Sequence, residues 1–258
     1  MEVHHHPHAP KKWFHYLWEF LMLFLAVFCG FLAENFREHS IEKERENTYM
    51  KSLVEDLKVD SVNIGNRILV RLEKSKTYDS IRQSVFQKKY VTNGADLYYW
   101  VRIYSRNTVL YLTDGTLQQL KNAGGMRLIH KQQVVDSLLA YETNFKGISF
   151  AQEVEMGMLA EYRDLVSKIF DAQVINQMLP DAITEFNGRD YINNYKSYMK
   201  RPPGNPKLID SSATRLNELM NKLMYIHATS GLLISNLQNL KTRNENLIHM
   251  IQKEYDLK

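Results

Sequence analysis

"WFHYLWEFLMLFLAVFCGFLAENF" (residues 13–36) runs directly into "REHSIEKERENTYMKSLVEDLKVDSVNIGNRILVRLEKSKTYDSIRQSVF" (residues 37–86). The first part is strongly apolar with Glu19 inside it, and a run of about 20 apolar residues matches the ~30 Å hydrocarbon core of a bilayer. The second part carries Met50, Leu53, Leu57, Ile64, Ile68, Leu72, Tyr78, Ile81 and Val85. Such steps of three, four and seven residues describe a long amphipathic helix. The junction from Glu38 to Glu46 is almost wholly charged, with mixed signs and neither Pro nor Gly to break a helix. The expectation is a membrane helix over 13–36 that continues as one rod through a juxtamembrane helix over 37–91.

Three readings compete for the apolar run. A cleaved signal peptide needs a short apolar region followed by small residues at the cut, and bulky Phe28 and Phe31 stand there instead. A lipoprotein site at Cys29-Gly30 is opposed by Phe28, where a small residue is needed. An uncleaved anchor fits better: Trp13, Tyr16 and Trp18 form an aromatic belt at one interface, and Asn35, Arg37 and Glu38 mark the other. Lys11 and Lys12 before the span nearly balance Arg37, Lys43 and Arg45 after it. The short tail with its Lys pair gives the orientation of a signal anchor, with the large domain outside the cytoplasm.

Glu19, Ala26, Gly30 and Ala33 share one stripe of that helix, at steps of seven, four and three. Ala26 and Gly30 are a small-xxx-small pair that lets two helix backbones approach closely. Glu19 is then a boundary residue near the headgroups, a helix-association contact, or the titrating group of a proton or ion relay.

Low glycine and proline content (11 Gly and 6 Pro in 258 residues) favours helices over a turn-rich β fold. The net charge of +4 is too small and dispersed to imply nucleic acid. Cys29 is the single cysteine, which excludes an internal disulfide and a zinc site on paired thiolates.

Further along, Thr92-Asn93-Gly94 is a turn. "DLYYWVRIYSRNTVLYL" (96–112) has strand-like composition but no clean alternation, and is assigned to helix, with Tyr98, Trp100, Val101 and Tyr104 in the core. Thr113 and Asp114 can cap the next helix, and Ala123-Gly124-Gly125 should end it through a left-handed glycine. A hairpin closed by Leu117, Leu120, Leu128, Ile129, Val134 and Leu138 follows. From Lys131 to about Gln177 the pattern stays helical, with a break anticipated near Lys146-Gly147 and a core face of Leu159, Tyr162, Leu165, Val166 and Ile169. Pro180 marks an end.

The divisions are therefore a polar His-rich tail (1–12), the span (13–36), the juxtamembrane helix (37–91), a helical domain (92–180), a connector (181–211) and a C-terminal helix (212–258). In the last, Leu216, Leu219, Leu223, Ile226, Ser230, Leu233, Leu237, Leu240, Asn244, Leu247 and Ile251 alternate steps of three and four, a heptad seam with two polar exceptions. Asn244 is the kind of residue that fixes register. The seam pairs either with the chain's own juxtamembrane helix or with a second chain.

Enzyme motifs are absent: no glycine-rich phosphate loop, no HExxH, no GxSxG, no nucleophile beside a base. His130, His227 and His249 are scattered over helices, and the tail histidines His4, His5, His6 and His8 have no carboxylate or thiolate companions on a rigid element. The connector mixes turn residues, tyrosines and lysines, either a solvated loop or a basic-aromatic patch for an anionic partner. No cofactor and no metal are expected. The fold expected is all-α.

The stretch "LWEFLMLFLAVFCGFLAENFREHSIEKERENTYMKSLVEDLKVD" resembles the N-terminus of a broad family of uncharacterised bacterial single-pass membrane proteins, at Glu19, Asn35, Glu46, Leu53, Asp56 and Leu57. "LTDGTLQQLKNAGGMRLIHKQQVVDSLLAYE" is similar to that family's middle motif. The two stretches cover about a third of the chain, and Phe36 stands where the family commonly has Trp. The resemblance implies an inner-membrane protein with an α-helical domain, and carries no activity with it. The functional expectation is a non-enzymatic scaffold, sensor or assembly factor, its partners the membrane and either itself or another membrane protein. The alternative is a component of an ion- or proton-driven complex that titrates Glu19.

Overall fold

The computed structural model describes residues 13–106, 109–122, 124–179 and 199–257. The long helices in it follow from an apolar periodicity. Helix α1 (Trp13–Phe86) is a single unbroken helix of 74 residues, about 110 Å long at 1.5 Å per residue. It is followed by α2 (Gly94–Tyr104), α3 (Gly115–Asn122), α4 (Gln132–Ile169), the short α5 (Ala172–Asn176) and α6 (Ala213–Glu254). Single 3-10 turns stand at Lys89–Val91 and Gly125–Leu128. The chain is all-α, with no strand among the described residues.

The domain is a bundle of α1, α4 and α6. Residues 13–40 of α1 are exposed, and burial begins beyond them, with Glu46 and Met50. From there the buried positions of α1 keep a heptad: Met50, Leu57, Ile64, Arg71, Tyr78 and Val85 at steps of seven. Helix α4 buries Val134, Tyr141, Ile148, Glu155, Tyr162 and Ile169 at the same step. Helix α6 buries Ile251, Asn244, Leu237, Ser230, Leu223 and Leu216, running the other way. Contacts of Arg71 with both Glu155 and Ser230 fix the register, and stepping by seven from that triad generates the other layers. A sustained 3.5-residue repeat keeps each seam facing its partners over the whole length.

The C-terminal seam is therefore spent inside the chain. Leu219, Leu223, Ile226, Leu233, Leu237, Leu240, Asn244 and Ile251 are completely buried, and Leu216 and Leu247 nearly so. Between the two pairings open to it, the seam takes the intramolecular one, with α1 and α4 together as its partner.

Helix α2 packs beside α1 and widens the far half of the bundle. Its amides are capped by Asn93, whose side chain accepts from Asp96 N. Gly94 is required there, because a Cβ would collide with the Pro206 carbonyl. The strap from Met199 to Asp210 lies across this end. Asn205 accepts from Gly94 N at 2.6 Å and donates to the Val91 carbonyl, and Tyr98 donates its hydroxyl to the Lys207 carbonyl. Met199 and Pro202 are buried, so this part of the expected solvated connector is packed. Pro180 and residues 181–198 lie outside the described residues.

Four sequence expectations shift. Leu72 is exposed, and Arg71 and Lys74 point inward instead, because the heptad from Met50 to Val85 passes through positions 71 and 74. Helix α4 runs through Lys146-Gly147 without a break. The helix assigned to 96–112 stops at Tyr104. Beyond it, Leu110 N–H donates to Gln152 Oε1 of α4 and Thr113 N–H to Asp60 Oδ1 of α1, both at 2.7 Å. Side chains of neighbouring helices thus replace the helical bonds this backbone gives up. At the start of α3 the Thr116 amide is accepted by Asp56 of α1, a tertiary acceptor where Thr113 or Asp114 was expected. The left-handed glycine after α3 is Gly124, with φ of 66°.

Candidate functional site

Polar residues inside an apolar bundle cost free energy unless they are satisfied, so the buried polar layers are the places where function or specificity is concentrated. The middle of the bundle holds the most fully buried charges. Arg71 and Glu155 form a bidentate pair, with Nη1 on Oε1 and Nη2 on Oε2 at 2.9 Å each, and Arg71 Nη1 also donates to Ser230 Oγ at 3.2 Å. One residue comes from each of the three long helices. Lys74, one turn further along α1, donates to the Arg106 carbonyl at 3.1 Å and sits 4.8 Å from the centre of the Tyr104 ring. Burial, with Arg71 and Arg163 nearby, pulls the Lys74 ammonium down to about 8 despite the attraction of Glu155. The Tyr104 hydroxyl is buried without a hydrogen-bond partner among the described residues, and burial pushes its pKa up.

A second polar layer lies nearer the apolar N-terminal segment of α1. Asp60 accepts from Thr113 N–H and from the Tyr141 hydroxyl, and Asn244 donates its amide to the Tyr141 oxygen at 3.2 Å. Burial raises the Asp60 carboxyl to about 6, even against these hydrogen bonds. Both polar exceptions in the C-terminal seam, Ser230 and Asn244, thus belong to cross-helix polar layers.

A third cluster closes the end of the domain that faces the apolar segment. The Glu46 carboxylate accepts from the His130 amide at 2.8 Å, lies 2.9 Å from His130 Nδ1, and accepts from the Tyr255 hydroxyl. It ties α1 to the start of α4 and the end of α6. Burial raises the Glu46 pKa, but the bonds from Tyr255 and His130 outweigh it and hold the carboxyl below its ordinary value. The hydrogen bond to Glu46 raises His130. A cleft of about 510 Å³ opens beside this cluster, lined by His39, Lys43, Glu46, His130, Lys131 and Glu254 among others.

At the end of α2, the guanidinium groups of Arg102, Arg106 and Arg163 lie near one another. Arg163 donates to Ser105 O through Nε and Nη2 at 3.0 and 2.6 Å, and Arg102 donates to Ser105 Oγ. Arg106 is brought down to about 10 by burial and by Arg102 and Arg163. Cations at a helix C-terminus meet the negative end of its dipole, which accounts for this cluster structurally.

The stripe of small residues on the apolar segment is open: Glu19, Ala26, Gly30 and Ala33 are all exposed. Glu19 Oε1 lies 3.2 Å from His15 Nε2, one turn before it. Cys29 is exposed on the same helix. His227 stacks on Tyr78 with ring centres 4.0 Å apart, and His249 is exposed. The tail histidines lie outside the described residues. Among the described residues no group of three or more His, Cys, Asp or Glu is placed to hold a metal ion.

Sequence reasoning missed the Arg71–Glu155 pair. The signal that finds it is the unbroken heptad, which lands on Arg71 in α1 and on Glu155 in α4 once each is stepped by seven from its apolar neighbours.

The class defined by these features is an all-α chain in which one helix, α1, is long and apolar enough to cross a membrane, with a mean hydropathy of 2.0 over its most apolar 18-residue window and none of that window buried. No family model, no curated protein and no solved structure matches the chain.

Proposed function

We propose that the chain is a non-enzymatic, single-pass membrane protein of the bacterial inner membrane that acts as a scaffold, sensor or assembly factor through helix–helix contacts. Its domain stands on the extracytoplasmic side. The observation that carries this reading is the unbroken course of α1 from the apolar segment into the heptad core. A helix without a kink or linker transmits position and rotation along its axis, whereas a flexible linker would decouple anchor from domain. From Glu46 to Phe86 the bundle extends roughly 60 Å, so its far end, with α2 and the Met199–Asp210 strap, is presented well clear of the headgroups. The fully buried polar layers hold the three helices in one register, and a rod that must not slip benefits from that.

Crosslinking and mass spectrometry in native membranes tests the reading. Crosslinks from the domain to a second protein or to another copy are expected. A chain that stays monomeric in detergent and crosslinks to nothing in its own membrane would remove it.

A second reading, a component of an ion- or proton-driven complex, draws on the His15–Glu19 pair inside the span. Under it, Glu19→Gln abolishes transport while assembly persists; an unchanged phenotype discards it.

A further inference from the structure

The face of α1 that points away from the bundle is apolar where it has no need to be. Val59, Val62 and Leu69 are 50%, 63% and 63% exposed. Their steps of three and seven place them on one line, with Asn66 between Val62 and Leu69. Scattered exposed apolar residues are ordinary; an aligned set on one helix face is a seam. Because α1 is one helix, this face can be followed into the apolar segment. At 3.6 residues per turn, Val59, Val62 and Leu69 fall within about 40° of the direction of Glu19, while Met50, Leu57 and Ile64 lie roughly 140–180° away. Ala26, Gly30 and Ala33 share the Glu19 direction. On a straight helix the small-residue stripe and the apolar line of the domain share that direction, opposite the face that packs the bundle, with Arg37, Glu44, Lys51 and Glu55 between them.

We propose that this face is a parallel homodimer seam, on which a second copy of the chain lays its own α1. The proposal rests on the membrane-anchored reading above, because anchors inserted the same way force two α1 helices to run parallel. Three features then fit a second copy. With Val59 and Val62 at the a and d positions, the seam reads Val59 at a, Val62 at d, Asn66 at a and Leu69 at d; the Val and the single Asn at a and the Leu at d are features of parallel pairs in register, and Val62 is the departure from them. The flanking charges are self-complementary, since residues five apart meet across a parallel pair: Arg37 meets the Glu42 position of the other copy, and Lys51 meets Asp56. The remaining flanking pairs between Glu44 and Val70 bring no like charges together. Glu55 at d and Glu73 at a would each face their own copy; engaged by Lys58 and Lys76 on their own helix, they bound the apolar line at its two ends. The partner seam of α6 is already buried, so this face of α1 is where a second copy fits.

The test uses the full chain in native membranes with Cys29→Ser as background. Val62→Cys and Leu69→Cys are made singly, and Leu232→Cys on α6, which is 69% exposed, serves as control. In a parallel seam the paired positions come within the Cα separation that a disulfide bridges. On mild oxidation, Val62→Cys and Leu69→Cys should give a covalent species of twice the monomer mass, several-fold more abundant than for Leu232→Cys. Adding Val62→Glu to Leu69→Cys should suppress that species severalfold; both sites are exposed, so helicity by circular dichroism should hold. Equal yields at all three sites, no dimer at position 62, no effect of Val62→Glu, or an adduct at position 62 with a different protein would each overturn the dimer. A chain that shows crosslinks to another protein but no dimer at position 62 loses the dimer and keeps the scaffold reading, so the two fail separately.

Discussion

The two halves of the bundle are built from different materials. The half nearer the span is aliphatic, with Met50, Leu53, Leu57, Ile64, Leu138, Ile148, Leu237 and Leu247 around the single buried tyrosine Tyr141. The far half is aromatic, with Tyr78, Tyr98, Tyr104, Tyr162 and Phe170. The layer of Arg71, Glu155 and Ser230 falls between them. The difference follows from what each half adds to the three long helices. Helix α3 and the turn after it bring Leu117, Leu120 and Ile129 to the near half, whereas α2 brings Tyr98 and Tyr104 to the far half. Tyrosines bring hydroxyls, and two of these find backbone partners: Tyr162 donates to the Val101 carbonyl at 3.0 Å, and Tyr98 joins the Lys207 carbonyl to the Asp171 amide. Both halves add hydrogen bonds to shape, between side chains in the Asp60–Tyr141–Asn244 layer of the near half and from tyrosine hydroxyls to backbone groups in the far half.

The boundary layer is where the comparison breaks most easily. Glu155→Ala leaves the Arg71 guanidinium buried and uncompensated, and should cost about 3–5 kcal/mol, read as a fall in chemical-denaturation stability in detergent. Replacing all three members together (Arg71→Met, Glu155→Leu, Ser230→Ala) should be neutral or stabilising by about 1–4 kcal/mol, merging the two cores into one. A single Glu155→Ala variant of native stability would show that the layer is no boundary.

Next in size, Leu237→Ala removes a fully buried side chain from the aliphatic half and should cost about 2–5 kcal/mol. Hydrogen exchange should rise first in Leu233–Leu247 and Met50–Ile64, with α2 amides protected. Simultaneous loss of protection in both halves would mean one cooperative unit rather than two.

Lys74 belongs to the far side of the boundary. Its folded pKa of about 8 lies below the usual 10.5, so between those values the unfolded chain binds more protons than the folded one. Stability then rises as pH climbs through that window, by about 3 kcal/mol at full crossing. Lys74→Met should abolish the slope; a slope that survives assigns it to other groups. Asp60, in the near half, acts in the opposite direction. Its folded value of about 6 against 3.8 makes stability fall as pH rises from about 4 to 6.

The smallest effect is expected at the end facing the span. His130 is raised by Glu46 and its ring is largely in solvent. Its contribution is present below the ordinary histidine pKa and fades as pH rises through the raised folded value. His130→Ala should remove this shallow dependence with little change at pH 8, measured as the pH profile of thermal unfolding; an unaltered profile would detach His130 from it.

Much of the fold is legible in the chain because helices obey a local rule. The heptads from Leu216 to Ile251, the core face from Leu159 to Ile169 and the continuity of α1 through Glu38–Glu46 all read directly, since period and absence of breakers are one-dimensional properties. Leu72 departs for the same reason: its apolar identity points inward, while the repeat from Met50 to Val85 passes through Arg71. The candidate polar layers were only half legible. Ser230 and Asn244 stand out as exceptions in their seam, but their partners Arg71, Glu155 and Tyr141 lie 84 to 159 residues from one another or from them in the pairs Arg71–Glu155, Arg71–Ser230 and Asn244–Tyr141.

By itself, then, the sequence determined an all-α chain, one apolar segment able to cross a bilayer and the heptad faces that had to be covered. Tertiary structure alone decided that α6 closes on α1 and α4 of its own chain, that Asp56 and Asp60 of α1 receive amides from the segment before and within α3, and that a line of exposed apolar residues remains on the back of α1. The reason is that periodicity says which side of a helix must be buried, while the choice of what buries it depends on which helices reach the same level at the same time.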